Sequence, residues 1–268
     1  MVASLDLDAY LERVGWVGEV RPTLDALSGL LAAHMDSIPF ENLDVLLGRR
    51  VRLDLDGIQT KLVRARRGGY CFEHATLFAA VLEAFGFDPV RHAARVVLFV
   101  PRAVSTRTHM FLTVALAEGR FVVDPGFGAL VPRAPLPLVD DGARPGSAAH
   151  WLARDGPFWA LRTVRDGEAV DAWLSTLEAE NRSDFEVANH YTATHPTSPF
   201  VNRLTMRAFT PDGRVTVMNR EATIWHGDSP CTTPLADRAA LRALLVEHFG
   251  FDLPEVEHMR VPAIPEWQ

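Results

Sequence analysis

Near residue 88 of this 268-residue chain the apolar residues change period, and that change limits the fold more than any other feature. From Leu5 to about Phe87 the spacing is helical, as at Leu24, Leu27, Leu30 and Leu31 of "TLDALSGLLAAHM", with breaks at Pro22 and Pro39. From Pro89 to about Trp173 it becomes short β-like runs, "RVVLFV", "HMFLTVAL", "RFVVD" and "FWALRTV", separated by Gly and Pro clusters that include "LVPRAPLPLVDDGARPGS". From about Leu174 helix and strand mix: "RLTMRAFTPDGRVTVMN" reads as a hairpin turning at Asp212 and Gly213, and "DRAALRALLVEHFG" as a late helix. The expected organisation is α+β: a helical bundle over 1–88, a small sheet or barrel over 89–173, and an α/β unit over 174–268.

Composition excludes several functions. The net charge of −7, with acidic groups scattered, gives no general attraction to nucleic acid or an anionic membrane. The N-terminal "MVASLDLDAYLERVGW" is acidic where a signal peptide would be basic and then apolar, and no apolar run approaches about 18 residues, so a cytoplasmic location is expected. Lys61 is the only lysine, which removes most lysine chemistry. Cys71 and Cys231 in a reducing compartment argue against a disulfide.

Cys71 opens a helical pattern, with Leu77, Phe78, Val81, Leu82 and Phe85 on one face and Gly86 at the end. At a helix start, unpaired N–H groups and the dipole favour a thiolate, and Gly68 and Gly69 are expected to turn the chain and leave a substrate room to approach the sulfur. Free cysteines are also commonly buried and inert, so placement alone leaves both readings open. Cys231, flanked by prolines, reads as a structural loop residue.

A cysteine nucleophile needs a base and an orienting group. Of ten histidines, His109 has the best context: it begins a strand whose return run ends in Asp124. A turn at Glu118 and Gly119, pairing Ala117 with Arg120, puts Asp124 on the face of His109. It also leaves Asp124 four residues along, roughly 13 Å away, so a hydrogen bond needs another register, a bulge or an earlier turn. "DPG" reads equally well as a plain turn. Cys71 and His74 lack a second ligand pair, so no metal is expected, and no phosphate-loop or dinucleotide motif is present. Glu73 is expected as a buried or turn-linking carboxylate near Arg67.

Five segments in order, "IPFENLDVLL", "RRGGYCFEHATLFAAVL", "RTHMFL", "VDPGFG" and "YTATHPTSPF", resemble the arylamine N-acetyltransferase family across most of the chain. The resemblance implies an N-terminal helical bundle, a central β-barrel and a C-terminal α/β lid, with a cysteine-protease-like triad of Cys71, His109 and Asp124. It implies ping-pong acetyl transfer from acetyl-CoA, a co-substrate with no resident cofactor, to an arylamine, hydrazine or arylhydroxylamine. Gly126, Phe127 and Gly128, with Thr108 nearby, would line the CoA cleft, and Phe40 would wall the acceptor pocket. The chain departs from the family at Ala75, Pro125 and His190; the first two make the cleft less polar, so small hydrophobic acceptors are expected ahead of charged ones. Alternatives are an amide synthase that takes a polyketide chain from an acyl carrier protein and releases a macrolactam, a non-catalytic binding homologue, and a papain-like or transglutaminase-like enzyme.

Overall fold

The computed structural model describes residues 4–267 except 99, 144, 145, 166 and 228, and at 129 the backbone alone. Residues 1–3 of the acidic N-terminal stretch, 99 of "RVVLFV" and 144–145 of the Pro-rich excursion thus lie outside the described residues.

The first part of the chain is helical. It comprises α1 (Leu7–Val14), α2 (Leu24–Ser37), α3 (Leu43–Leu46), α4 (Leu55–Ile58), which runs on through a π-helical turn over Gln59–Arg64, and α5 (Cys71–Ala84). Side-chain caps start three of them: Asp6 accepts from Ala9 N–H, Thr23 from Ala26 N–H and Asp54 from Gly57 N–H. Beyond α5, Gly86 has φ +84°, a left-handed conformation that suits glycine.

Strand β1 (Phe40–Glu41) interrupts the helices. Then come β2 (Val90–Val96), β3 (His109–Leu116), β4 (Gly119–Val123), β5 (Leu136–Pro137), β6 (His150–Asp155), β7 (Phe158–Arg165) and β8 (Glu168–Ser175). They form one antiparallel sheet in the order β5-β4-β3-β2-β8-β7-β6, which curls until its end strands β5 and β6 meet in a nearly closed barrel. Trp173, Phe111, Leu152 and Leu161 fill its interior. Strand β2 ends at Val96, so the run "RVVLFV" is strand only at its start.

The chain continues through α6 (Arg182–Thr194), α7 (Pro199–Asn202), β9 (Thr205–Thr210), β10 (Gly213–Met218), β11 (Glu221–His226), β12 (Ser229–Pro234) and α8 (Arg238–Leu244). The second sheet has the order β1-β9-β10-β11-β12, so residues 40–41 supply the edge strand of a sheet otherwise built from the last third of the chain. The β9–β10 turn is Pro211–Asp212, one residue earlier than expected, because Gly213 already pairs with Thr210. Among the described residues, no helix is long and apolar enough to cross a membrane.

Candidate active site

Cys71 is the first residue of α5, and several contacts hold the chain that delivers it. Tyr70 is extended, and its N–H donates to Glu73 Oε2 (3.1 Å), three residues into the helix. Tyr70 Oη donates to Asn189 of α6. A Cβ on Gly68 would lie 2.1 Å from the Pro39 carbonyl oxygen, and one on Gly69 would lie 2.6 Å from Glu73 Oε2. The two glycines therefore make room for the protein's own strand β1 and cap, rather than for a substrate as the sequence suggested.

A buried hydrogen-bonded file runs beneath this loop. Tyr10 Oη lies 3.0 Å from His34 Nδ1, His34 Nε2 lies 2.8 Å from His74 Nδ1, and His74 Nε2 faces the Gly69 and Pro39 carbonyls at 3.1 and 3.2 Å. Only one proton arrangement satisfies every link: His74 Nε2–H donates to the carbonyls, so each upstream group donates to the next Nδ1. Burial holds both imidazoles neutral; it pushes His74 down to about 3, with Arg207 adding to the effect, and His34 well below its ordinary value. Both nitrogens of His74 are thus committed to protein partners, and among the described residues no group of three His, Cys, Asp or Glu could hold a metal ion.

His109 Nε2 meets Asp124 Oδ2 at 2.8 Å, with both side chains buried. The register explains how the 13 Å gap closes. Leu116 pairs with Gly119, so the turn is Ala117–Glu118 and Asp124 comes opposite Phe111, only two residues along from His109. That leaves about 7 Å along the strands, which two side chains span. Pro125 and Gly126 form the turn that follows, and Gly126 N–H donates to Asp124 Oδ1 (3.3 Å). The two carboxylate oxygens are used differently: Oδ1 closes the "DPG" turn and Oδ2 meets the imidazole. Trp173 Nε1–H also donates to Oδ2 (3.1 Å). Burial alone would lower the His109 pKa, but the charge and hydrogen bond of Asp124, with a contribution from the Cys71 sulfur, outweigh it and raise the value to about 10.

The remaining expected residues lie against Cys71, against His109 or against one another. Cys71 Sγ is 3.7 Å from the Thr108 carbonyl oxygen. Gly126 packs so closely on Cys71 that a Cβ there would lie 2.6 Å from its Cα. Phe127 sets its ring edge-on to His109, centroids 5.0 Å apart. Gly128 (φ +75°) approaches the Phe40 ring, whose other neighbours are His74 and Phe200. Ala75 is fully buried one turn beyond Cys71. His190 is exposed and lines a cavity of about 470 Å³ between residues 48–54 and α6 that contains none of Cys71, His109 or Asp124.

Glu73 is buried and links the turn through the Tyr70 N–H, as expected; its ion pair is with Lys61 Nζ (2.9 Å), while Arg67 binds Glu41 and Asp44, each at 2.7 Å. Helix α5 turns Glu73 toward the preceding π-helical turn that carries Lys61. Cys231 lies in no loop; it is exposed on edge strand β12, where its flanking prolines suit an unpaired edge. Sequence reasoning also missed Trp173 and Arg207. A buried tryptophan N–H needs an acceptor, but nothing local says that Asp124, 49 residues away, supplies it.

The sequence profile of an N-acetyltransferase family matches residues 23–258. The chain is 37% identical to the arylamine N-acetyltransferase of Mycolicibacterium smegmatis, covering 97% of each, and 36% identical to that of Escherichia coli K12, covering 94% of this chain and 91% of the relative. Its fold matches the structure of the M. tuberculosis arylamine N-acetyltransferase with a TM-score of 0.87 at 35% identity, covering 94% and 96% of the two chains. The M. marinum enzyme solved in complex with CoA matches with the same TM-score at 34% identity, covering 94% of each. These likenesses give no support to the amide synthase or carrier-protein readings. By sequence and by fold, over nearly its whole length, the chain belongs to the arylamine N-acetyltransferase family.

Proposed function

We propose that this enzyme transfers an acetyl group from acetyl-CoA to an arylamine, hydrazine or arylhydroxylamine in two half-reactions through an acetyl-Cys71 intermediate. The observation that carries the reading is the buried 2.8 Å contact between His109 and Asp124 beside a cysteine that begins a helix. Asp124 occupies Nε2, which leaves Nδ1 as the ring nitrogen for Cys71. With a pKa near 10, the imidazole holds its proton at neutral pH.

The Cys71 sulfur attacks the thioester carbonyl, and the oxyanion meets the backbone N–H groups that begin α5. The imidazolium gives its proton to the departing CoA sulfur, leaving acetyl-Cys71 and a neutral imidazole. The acceptor nitrogen, or the oxygen of a hydroxylamine, then attacks the acetyl carbon and His109 takes the proton it sheds. Collapse releases the amide, or the ester from a hydroxylamine oxygen, and restores the sulfur–imidazolium pair. A weakly basic arylamine suits the second step because its lone pair is free near neutral pH. Thr108, Gly126, Phe127 and Gly128 are proposed contacts of CoA, and Phe40 a wall of the acceptor pocket.

Intact mass after mixing with acetyl-CoA tests the proposal. A single acetyl adduct on Cys71, discharged by an arylamine, is expected; no adduct, or peptide cleavage instead, overturns it.

A further inference from the structure

Arg207 carries a charge that no hydrogen bond among the described residues satisfies. It lies in β9 directly opposite Phe40 of β1, and opposite residues of an antiparallel pair share a face. Its side chain therefore belongs to the face that brings Phe40 against His74 and Gly128. Arg207 is 1% exposed, yet its Nε, Nη1 and Nη2 atoms all lack a hydrogen-bond partner among the described residues. A guanidinium in that state bears the cost of desolvation without the pairing that ordinarily offsets it.

The compensation the protein offers is partial and directional. The cation rests over the ring of half-buried Phe209 at 4.5 Å, and Arg133 stacks on the same ring at 4.0 Å. Two carboxylates act on Arg207 through space without bonding it: Asp124 from the triad and Asp36 from the surface, the latter already paired with Arg133 at 2.6 Å. Burial, with Arg133 next, lowers the Arg207 pKa to about 9, so it remains a cation at neutral pH. A buried planar fork of donors without a hydrogen-bond partner thus lies within electrostatic reach of both Asp124 and the surface carboxylate Asp36, on the strand paired with Phe40. That geometry fits a carboxylate in two parallel hydrogen bonds.

We propose that Arg207 anchors a carboxylate carried by one of the two substrates of this site, either the far end of a dicarboxylic acyl group or the ring of a carboxylated arylamine. The inference rests on the acyl-transfer reading, and it reverses the expectation that charged acceptors come last. A phosphate of the coenzyme would also suit a guanidinium, but Arg207 lies on the wall shared with Phe40 and within the field of Asp124, where acyl group and acceptor meet.

The first test uses the wild-type enzyme without any coenzyme. Benzoate should slow iodoacetamide alkylation of Cys71, read by intact mass, at concentrations where benzamide does not. The second uses matched pairs: 4-aminobenzoate against 4-aminobenzamide as acceptors with acetyl-CoA, and succinyl-CoA against butyryl-CoA as acyl donors. In one arm the wild type should prefer the carboxylate, and Arg207→Met should cut that preference about tenfold to a hundredfold, with Arg207→Lys restoring part of it. Preference in the acceptor arm assigns the carboxylate to the amine, and preference in the donor arm assigns it to the acyl group. The proposal is overturned if wild type shows no carboxylate preference in either arm, which stands even if the variants fail to fold. It is equally overturned if Arg207→Met raises the KM for acetyl-CoA alike with every acceptor, which would place a phosphate there. Absence of any acetyl adduct on Cys71 would sink the acyl-transfer reading instead, while benzoate protection would still report on Arg207.

Discussion

At the scale of single residues, Asp124 joins three partners: His109 and Trp173 on one oxygen, Gly126 N–H on the other. Asp124→Asn should keep the fold, since an amide oxygen can still close the turn, but should present the wrong hydrogen-bonding group to the imidazole. CoA release should fall by about 10⁴, the cost of the analogous change in a serine triad; near-normal turnover would reduce Asp124 to a turn residue. Trp173→Phe keeps the ring in the barrel interior and removes one charge-assisted bond, so kcat/KM should fall about tenfold to a hundredfold. An unchanged value would mean the two remaining partners hold Asp124 unaided. The His109 pKa, about 10, lies above its ordinary 6.5, so the stability it contributes is fully present below pH 6.5 and lost as the pH rises through about 10. Glu73, raised by burial to about 7 from 4.5, acts in the same direction lower down. The urea midpoint of the wild type should therefore fall on going from pH 6 to pH 10, and fall less in Asp124→Asn; equal slopes would count against the ion pair.

At the scale of elements, the site depends on how closely the turn after β4 rests on the start of α5. Gly126→Ala would set a Cβ 2.6 Å from the Cys71 Cα, and backbone there cannot yield without moving either Cys71 or Asp124. The expected cost is about 1–3 kcal/mol of stability, read by denaturant midpoint, together with a loss of CoA release larger than that destabilisation explains. A variant of full activity would mean the turn can shift freely. The β3–β4 hairpin shows how far local reasoning reached. Alternation in "HMFLTVAL" and "RFVVD" was enough to put His109 and Asp124 on one face, because side-chain parity is a local property. Whether they touch turned on a two-residue turn at Ala117–Glu118 rather than one residue later at Glu118–Gly119, and Ala117, Glu118 and Gly119 do not discriminate between those registers by composition. Strands β6 and β8 escaped notice for a related reason: Arg154, Asp155, Glu168 and Asp171 break their apolar runs, and only the barrel's one-sided interior makes strands of them.

At the scale of the whole molecule, the two ends of the chain are tied at Asn42. Its Nδ2 donates to the carbonyls of Phe200 and Arg203, each at 2.8 Å, and its Oδ1 accepts from Thr205 N–H at 2.9 Å. Asn42→Ala should cost about 2–4 kcal/mol from three lost bonds and stranded backbone groups, and should raise the KM for acceptors more than it lowers kcat, because Asn42 directly follows strand β1, which carries Phe40. Loss of stability with no change in KM would separate the tie from the pocket. What the sequence determined alone is what neighbouring residues decide among themselves: Thr23 and Asp237 capping their helices, Gly86 ending α5, the change of period near residue 88, and the segments around Cys71, His109 and Asp124 that carry the family's pattern. Tertiary structure decided which groups share an environment. Trp173 finds Asp124, His34 finds His74 40 residues away, Lys61 takes Glu73, and Arg207 comes to rest opposite Phe40 with no hydrogen-bond partner among the described residues. Caps and alternation act over a few bonds of chain and can be read in order. A buried charge or N–H takes its partner from whatever packing brings within about 3 Å, and packing belongs to the whole chain at once.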